Sequence, residues 1–174
     1  DIEVEDVDCY GDDTGSITAS GMGGVGSYQF SIDGGSNYQQ SGTFDGLSAG
    51  DYTITVKDEN GNTSTCNATV DQPDAPPSCE IEGTDPSGAG LSDGSLTAQG
   101  SGGTAPYTYS IDGQTFQDSG TFEGLAAGDY TVTVKDANGC TSTCMVTLDD
   151  PDPDPTGGCE TAYAKAPTNS FCFI

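Results

Sequence analysis

The sequence predicts an all-β molecule: two tandem immunoglobulin-like Greek-key β-sandwiches joined by a Pro/Asp-rich linker. Three observations carry that expectation: an internal repeat, strict alternation of apolar and polar residues, and turn chemistry between the alternating runs. The stretch SGTFDGLSAGDYTITVKDENG begins at Ser41 and SGTFEGLAAGDYTVTVKDANG begins at Ser119. Upstream, Gly15-Ser16-Ile17-Thr18-Ala19 recurs as Gly94-Ser95-Leu96-Thr97-Ala98. Self-similarity of this kind marks a repeated structural unit. The second copy is one residue shorter between Asp112-Gly113 and Phe116, inside a turn, where a β scaffold tolerates deletions.

Each element of the second copy reads as a strand or a turn. Ser95–Gln99 and Tyr107–Ile111 are short runs rich in Thr, Tyr and Ile, bounded by Gly and Asp. Asp129–Lys135 alternates, which puts Tyr130, Val132 and Val134 on one face and the Thr residues on the other. Asp136-Ala137-Asn138-Gly139 supplies a turn, because Asn-Gly accepts the positive φ that tight hairpins need. Thr141–Leu148 returns as the partner strand, with Cys144, Val146 and Leu148 sharing a face. A helical period is suggested only at Glu160–Lys165, which Pro167 halts soon after. Leu47-Ser48-Ala49-Gly50-Asp51-Tyr52 recurs as Leu125-Ala126-Ala127-Gly128-Asp129-Tyr130. That spacing suits a tyrosine corner at Tyr52 and Tyr130, and with the strand spacing it predicts a seven-strand-type sandwich.

Domain boundaries follow from the breakers. Residues 1–72 form the first sandwich and 78–149 the second. Gln72-Pro73-Asp74-Ala75-Pro76-Pro77 is a Pro-stiffened linker, and 150–158, opening Asp150-Pro151-Asp152-Pro153-Asp154-Pro155, is a second one extended by proline geometry and charge. Residues 159–174 read as a tail that starts a further domain or provides an exchanged strand. The strand-like Ile2–Val4, the apolar Phe171–Ile174 and the missing initiator Met suggest a piece of something longer.

Composition excludes several function classes. Lys+Arg number 3 against Asp+Glu 28, for a net charge of −25, which repels nucleic acid and anionic lipid. No apolar run is long enough for direct membrane insertion. With no His, a Ser or Cys nucleophile lacks its commonest base, and two small sandwiches leave no interior to raise a carboxyl pKa, so no enzyme is expected. Seven Cys in so short a chain point to an oxidising compartment. Zinc is disfavoured because no C-x₂-C pair exists.

The pattern G-S-[IL]-T-A…S-I-D-G…G-L-x-A-G-x-Y-T-[VI]-T-V-x-D-x-N-G resembles the SprB-type repeat of bacterial gliding-motility adhesins. The resemblance covers both copies, from Ile2 to Asp149. It implies a cell-surface location, tandem sandwich arrays and adhesive or structural roles without catalysis. The family often carries one Cys before the second strand and another just after the Asn-Gly turn. Here the first copy has Cys9 but Asn62, and the second has Cys140 but Gly88, so the familiar pair is split between copies. The tail from Cys159 to Ile174 resembles the opening of another surface domain found beside such repeats.

Candidate sites remain. Parallel first and last strands let Cys79 reach Cys144; Cys159–Cys172 closes a short tail loop; Cys9–Cys66 is a third pairing, leaving Cys140 over. No cofactor is required, but Ca²⁺ suits the carboxylates crowding the sandwich ends, at Asp71, Asp74, Asp149 and Asp150, with more at Asp6, Asp8, Asp12 and Asp13. Asn62 and Asn67 open N-glycosylation sequons. The expected function is a non-catalytic structural or adhesive repeat segment whose partners are neighbouring repeats or protomers of the same protein. Alternatives are a filament subunit assembled by exchange of Ile2–Val4 or Phe171–Ile174, and a module that binds surface glycans through Tyr28, Tyr38 and Tyr107.

Overall fold

Alternation along the chain places every second side chain of each strand against a partner sheet, and two sheets per repeat close over it. The computed structural model describes residues 1–151. The first repeat contains β1 (Ile2–Glu5), β2 (Gly15–Ala19), β3 (Gln29–Ser31), β4 (Thr43–Leu47), β5 (Gly50–Lys57) and β6 (Thr63–Val70). The second contains β7 (Ser78–Thr84), β8 (Gly94–Ser101), β9 (Thr108–Ser110), β10 (Thr121–Leu125), β11 (Gly128–Lys135) and β12 (Thr141–Leu148). Each repeat stacks two three-stranded antiparallel sheets, β1-β2-β4 on β3-β5-β6 and β7-β8-β10 on β9-β11-β12. The second linker from residue 152 onward and the tail 159–174, with Cys159, Cys172 and Phe171–Ile174, lie outside the described residues.

This is the immunoglobulin-type Greek key with its fourth strand missing, so the seven-strand expectation is corrected to six. The reason lies between β3 and β4. The Asp33 carboxylate accepts bonds from the Ser31 hydroxyl at 2.6 Å, the Ser36 and Asn37 N–H groups at 2.9 Å each, and the Asn37 amide at 2.6 Å. The chain therefore curls into a turn. It comes back at Gln39, whose N–H and C=O pair with Phe30, while the Gln39 amide donates to the Ser41 and Thr43 carbonyls. Asp112 and Gln117 repeat the device in the second copy.

The cores are small. In the first repeat Ile17, Ile54 and Val70 are buried with Phe30 and Val7; in the second, Leu96, Ala98 and Val132 form the centre. Two devices reinforce them. Tyr52 donates its hydroxyl to the Ser48 carbonyl at 2.8 Å, and Tyr130 donates to the Ala126 carbonyl at 2.9 Å. A disulfide joins Cys79 on β7 to Cys144 on β12, with Cα atoms 5.5 Å apart, and so ties one sheet of the second repeat to the other.

Hydrogen bonds hold the Asp33 and Asp112 carboxyls well below the ordinary value of 3.8: those from Ser31 first for Asp33, and from the Thr115 N–H first for Asp112. A depressed native pKa means the unfolded chain binds more protons, so stability rises with pH through that window. The contribution is complete above 3.8 and is lost as the pH falls toward the native value. Thermal melts of wild type and of the Asp33→Asn, Asp112→Asn double variant should differ by a constant amount above that pH and converge below it. Tyr130→Phe should lower unfolding stability by about 1 kcal/mol in a denaturant titration, the net worth of one hydrogen bond.

Candidate functional site

At one end of each sandwich an aspartate begins the hairpin turn between the last two strands. In the second repeat Asp136 is 4% exposed. Its Oδ1 accepts the N–H groups of Asn138 and Cys140 at 3.0 and 2.9 Å, and its Oδ2 accepts the Thr104 N–H at 2.9 Å. Gly139 closes the turn at φ +89°, a backbone region that glycine enters without penalty. The Ala137 N–H donates to the Thr104 carbonyl at 2.7 Å. One carboxylate thus fuses the β11–β12 turn and the β8–β9 loop into a single platform.

The first repeat seats its opposite end on that platform. Its β1–β2 loop is rooted to the end of β6: Val7 donates to the Asp71 carbonyl at 2.8 Å, Asp71 to the Asp6 carboxylate at 2.9 Å, and Gly11 to the Gln72 amide oxygen at 2.8 Å. The tip of the loop then crosses the junction. The Asn138 amide donates to the Asp8 carbonyl at 2.8 Å, and Cys9 is disulfide-bonded to Cys140, with Cα atoms 5.7 Å apart. The linker joins in, its Ala75 carbonyl accepting the Gly103 N–H at 2.8 Å. Loop, linker and disulfide together make this junction the most heavily built feature that the two repeats share.

The expectation of a Cys9–Cys66 bridge with Cys140 left over is therefore corrected. Cys66 on β6 is the counterpart of Cys144. Cys66 has no partner among the described residues, and Cys9, at the far tip of the β1–β2 loop, reaches only the neighbouring repeat. A clue was present in the sequence: the family's cysteine pair is split between copies, one half in each. What the sequence lacked was which ends of the sandwiches meet.

The other expected sites fall as follows. Asp71 and Asp149 occupy equivalent positions at the ends of two different repeats, each donating its N–H to a carboxylate, Asp6 and Asp85 respectively. Asp150 accepts the Gly90 N–H at 3.3 Å, and Asp74 sits exposed in the linker. Among the described residues no three Asp, Glu, Cys or His side chains converge on a point where a metal ion would sit. The Asn62 amide nitrogen is bonded to both oxygens of Asp58, at 3.2 and 3.0 Å, and Asn67 on β6 accepts the Thr53 hydroxyl at 2.9 Å. Tyr28 and Tyr107 turn their hydroxyls onto the Gly23 and Gly102 carbonyls, and the Lys57 ammonium covers the Tyr38 ring at 3.7 Å.

The fold and the junction define a class: tandem immunoglobulin-like β-sandwiches tied end to end by a covalent bond. The SprB repeat model matches the chain at residues 2–37 and again at 83–116. One match falls in each sandwich, so each tandem copy carries a segment similar to the SprB repeat. No curated protein matches the sequence. Among solved structures, the chain is similar to the N-terminal eight Ig domains of Down Syndrome Cell Adhesion Molecule isoform 1.30.30, at 17% identity and TM-score 0.33, covering 71% of this chain and 19% of that one. It is also similar to the amphioxus IgVJ-C2 molecule, at 12% identity and TM-score 0.31 over 84% of this chain and 95% of that one. Murine CEACAM1b matches at 13% and 0.33, over 80% and 94%.

Two outcomes are expected. Asp136→Ala leaves three backbone N–H groups without their acceptor and should cost about 3 kcal/mol in a denaturant titration. Removing the junction bond with Cys9→Ala and Cys140→Ala should cost about 2 to 4 kcal/mol, whereas Cys66→Ala, which deletes a half-buried thiol, should cost about 1 kcal/mol.

Proposed function

We propose that this chain is a non-catalytic extracellular spacer segment of a bacterial surface adhesin, built to hold its length under tension. One observation carries the reading: Cys9 and Cys140 are bonded across a sequence separation of 131. A pull applied at the two ends of the described chain enters at β1, crosses from residue 9 to residue 140 through sulfur, and leaves along β12. The interior of both repeats lies off that path. A spacer that would otherwise lengthen when a sandwich unfolds is thereby kept short.

Further observations support the same reading. The concave surface lined by Glu80, Ile81, Glu82, Thr97 and Gln99 is open to solvent, with both carboxylates exposed, so it offers none of the desolvation that tunes a catalytic acid. Disulfides of this kind persist in oxidising compartments outside the cell. Strand exchange through Ile2–Val4 is less favoured, because β1 pairs along its whole length with β2 of its own repeat.

Single-molecule force spectroscopy on the intact chain tests the proposal. With the junction bond closed, unfolding should release only the short segments outside it. Reduction should add about 45 nm of contour length, the reach of 131 residues at about 3.5 Å each. Equal extension before and after reduction would contradict the tension-bearing role.

A further inference from the structure

The platform that receives Cys9 exists twice, and in the first repeat it is open. Asp58, the counterpart of Asp136, is 8% exposed and binds the N–H groups of Asn62 at 2.8 Å and Val25 at 3.3 Å. The Glu59 N–H donates to the Val25 carbonyl at 3.1 Å, as Ala137 does to Thr104. The scaffold is the same, but the covering is absent. Gly102, Gly103 and Thr104 are half-buried under the linker, while Gly23, Gly24 and Val25 are exposed. Asn62, counterpart of the buried Cys140, is exposed as well.

The complementary end also exists twice. In the second repeat the β7–β8 loop keeps the bonds that shape the Cys9 loop: Ser87 donates to Asp93 at 2.9 Å as Asp8 does to Thr14 at 3.0 Å. Gly90 and Asp150 repeat the contact of Gly11 with Gln72, and Asp149 and Asp85 repeat that of Asp71 with Asp6. Gly88 stands where Cys9 does. Both open ends lack the cysteine, and both carry apolar side chains where the other repeat has polar ones. Met22 replaces Ser101 and Val25 replaces Thr104 at one end, and Leu91 replaces Asp12 at the other. Their exposures are 77%, 55% and 49%. In an array an apolar contact would do without sulfur what the disulfide does in the middle.

We infer that the open platform of the first repeat, formed by Met22, Val25, Asn60 and Asn62, is a docking surface for the β7–β8 loop end of another repeat of this type. In a solution of this chain the occupant is the second repeat of a second copy, joined head to tail. The inference rests on reading the chain as a spacer, and it names the partner that one end of that spacer takes. The same geometry that aligns Cys9 with Cys140 aligns position 88 of one copy with position 62 of the next.

Two experiments test it. In Asn62→Cys, Gly88→Cys chains that also carry Cys66→Ser, air oxidation should give end-to-end polymers through 62–88 bonds. Both substitutions place a cysteine where the other repeat already has one. Mass spectrometry should find 62–88 bonds exceeding 62–62 or 88–88 bonds by about tenfold, the ratio that about 1.4 kcal/mol of docking preference gives. Adding Met22→Glu and Val25→Glu should erase the excess, and a random mixture in the parent variant would overturn the proposal. The work belongs at about 1 M salt, where the Debye length falls to about 3 Å and repulsion between acidic chains is screened. In the wild-type chain, methyl-labelled Met22 and Met145 are equally exposed at 77% and serve as probe and control. Raising the concentration from micromolar to millimolar should shift the Met22 resonance and leave Met145 in place. Both unmoved, or both moving alike, would contradict the docking surface. Random cross-linking alongside a reduction-dependent contour length would remove this inference and leave the spacer reading standing.

Discussion

The bond between Cys9 and Cys140 is the constraint around which the two sandwiches are arranged. Each repeat has a core of few large side chains, Ile17, Ile54 and Val70 in one and Leu96, Val132 and Leu148 in the other. Domains this small bury too little apolar surface to be strongly stable alone. They are also bodies of like sign in a chain of net charge −25, so their charges oppose close approach. A covalent tie is indifferent to that repulsion and to the salt that would screen it. By closing a very long loop it also removes entropy from the unfolded chain, which underlies its contribution of about 2 to 4 kcal/mol.

The acidic composition has a second role inside the fold. Asp33, Asp58, Asp112 and Asp136 each collect two or more backbone N–H groups at a turn. A carboxylate can accept from several donors at once, which suits it to the tight corners of a sandwich made of short strands. Bonds from the Asn62 amide, ahead of those from the Asn62 and Val25 N–H groups, hold the Asp58 carboxyl below its ordinary range. At Asp136 the same design does more, because the platform it shapes is the one that a neighbouring repeat occupies. Turn chemistry and assembly are thus continuous.

Much of the fold was legible in the sequence because it is written in local periodicity. The alternation from Asp129 to Lys135 and the Asp-x-Asn-Gly turn specify a hairpin, and the spacing of Tyr130 from Ala126 specifies where its hydroxyl lands. The missing strand was not legible, since the Asp33 turn that replaces it consists of ordinary loop residues whose mutual bonds appear only in three dimensions. The cysteine map was half legible. Cys79 and Cys144 lie on the first and last strands of one repeat, which the sandwich brings side by side from its two sheets. Cys9 and Cys140 belong to different repeats, and their meeting depends on which end of one sandwich faces which end of the other. No periodicity encodes that.

Peptide mapping of the purified chain by mass spectrometry, without reduction, tests the central assignment most directly. It should recover the peptide around Cys9 cross-linked to the peptide around Cys140. Recovery of Cys9 bonded to Cys66 instead would mean that the repeats are not joined by sulfur, and the junction would lose its foundation.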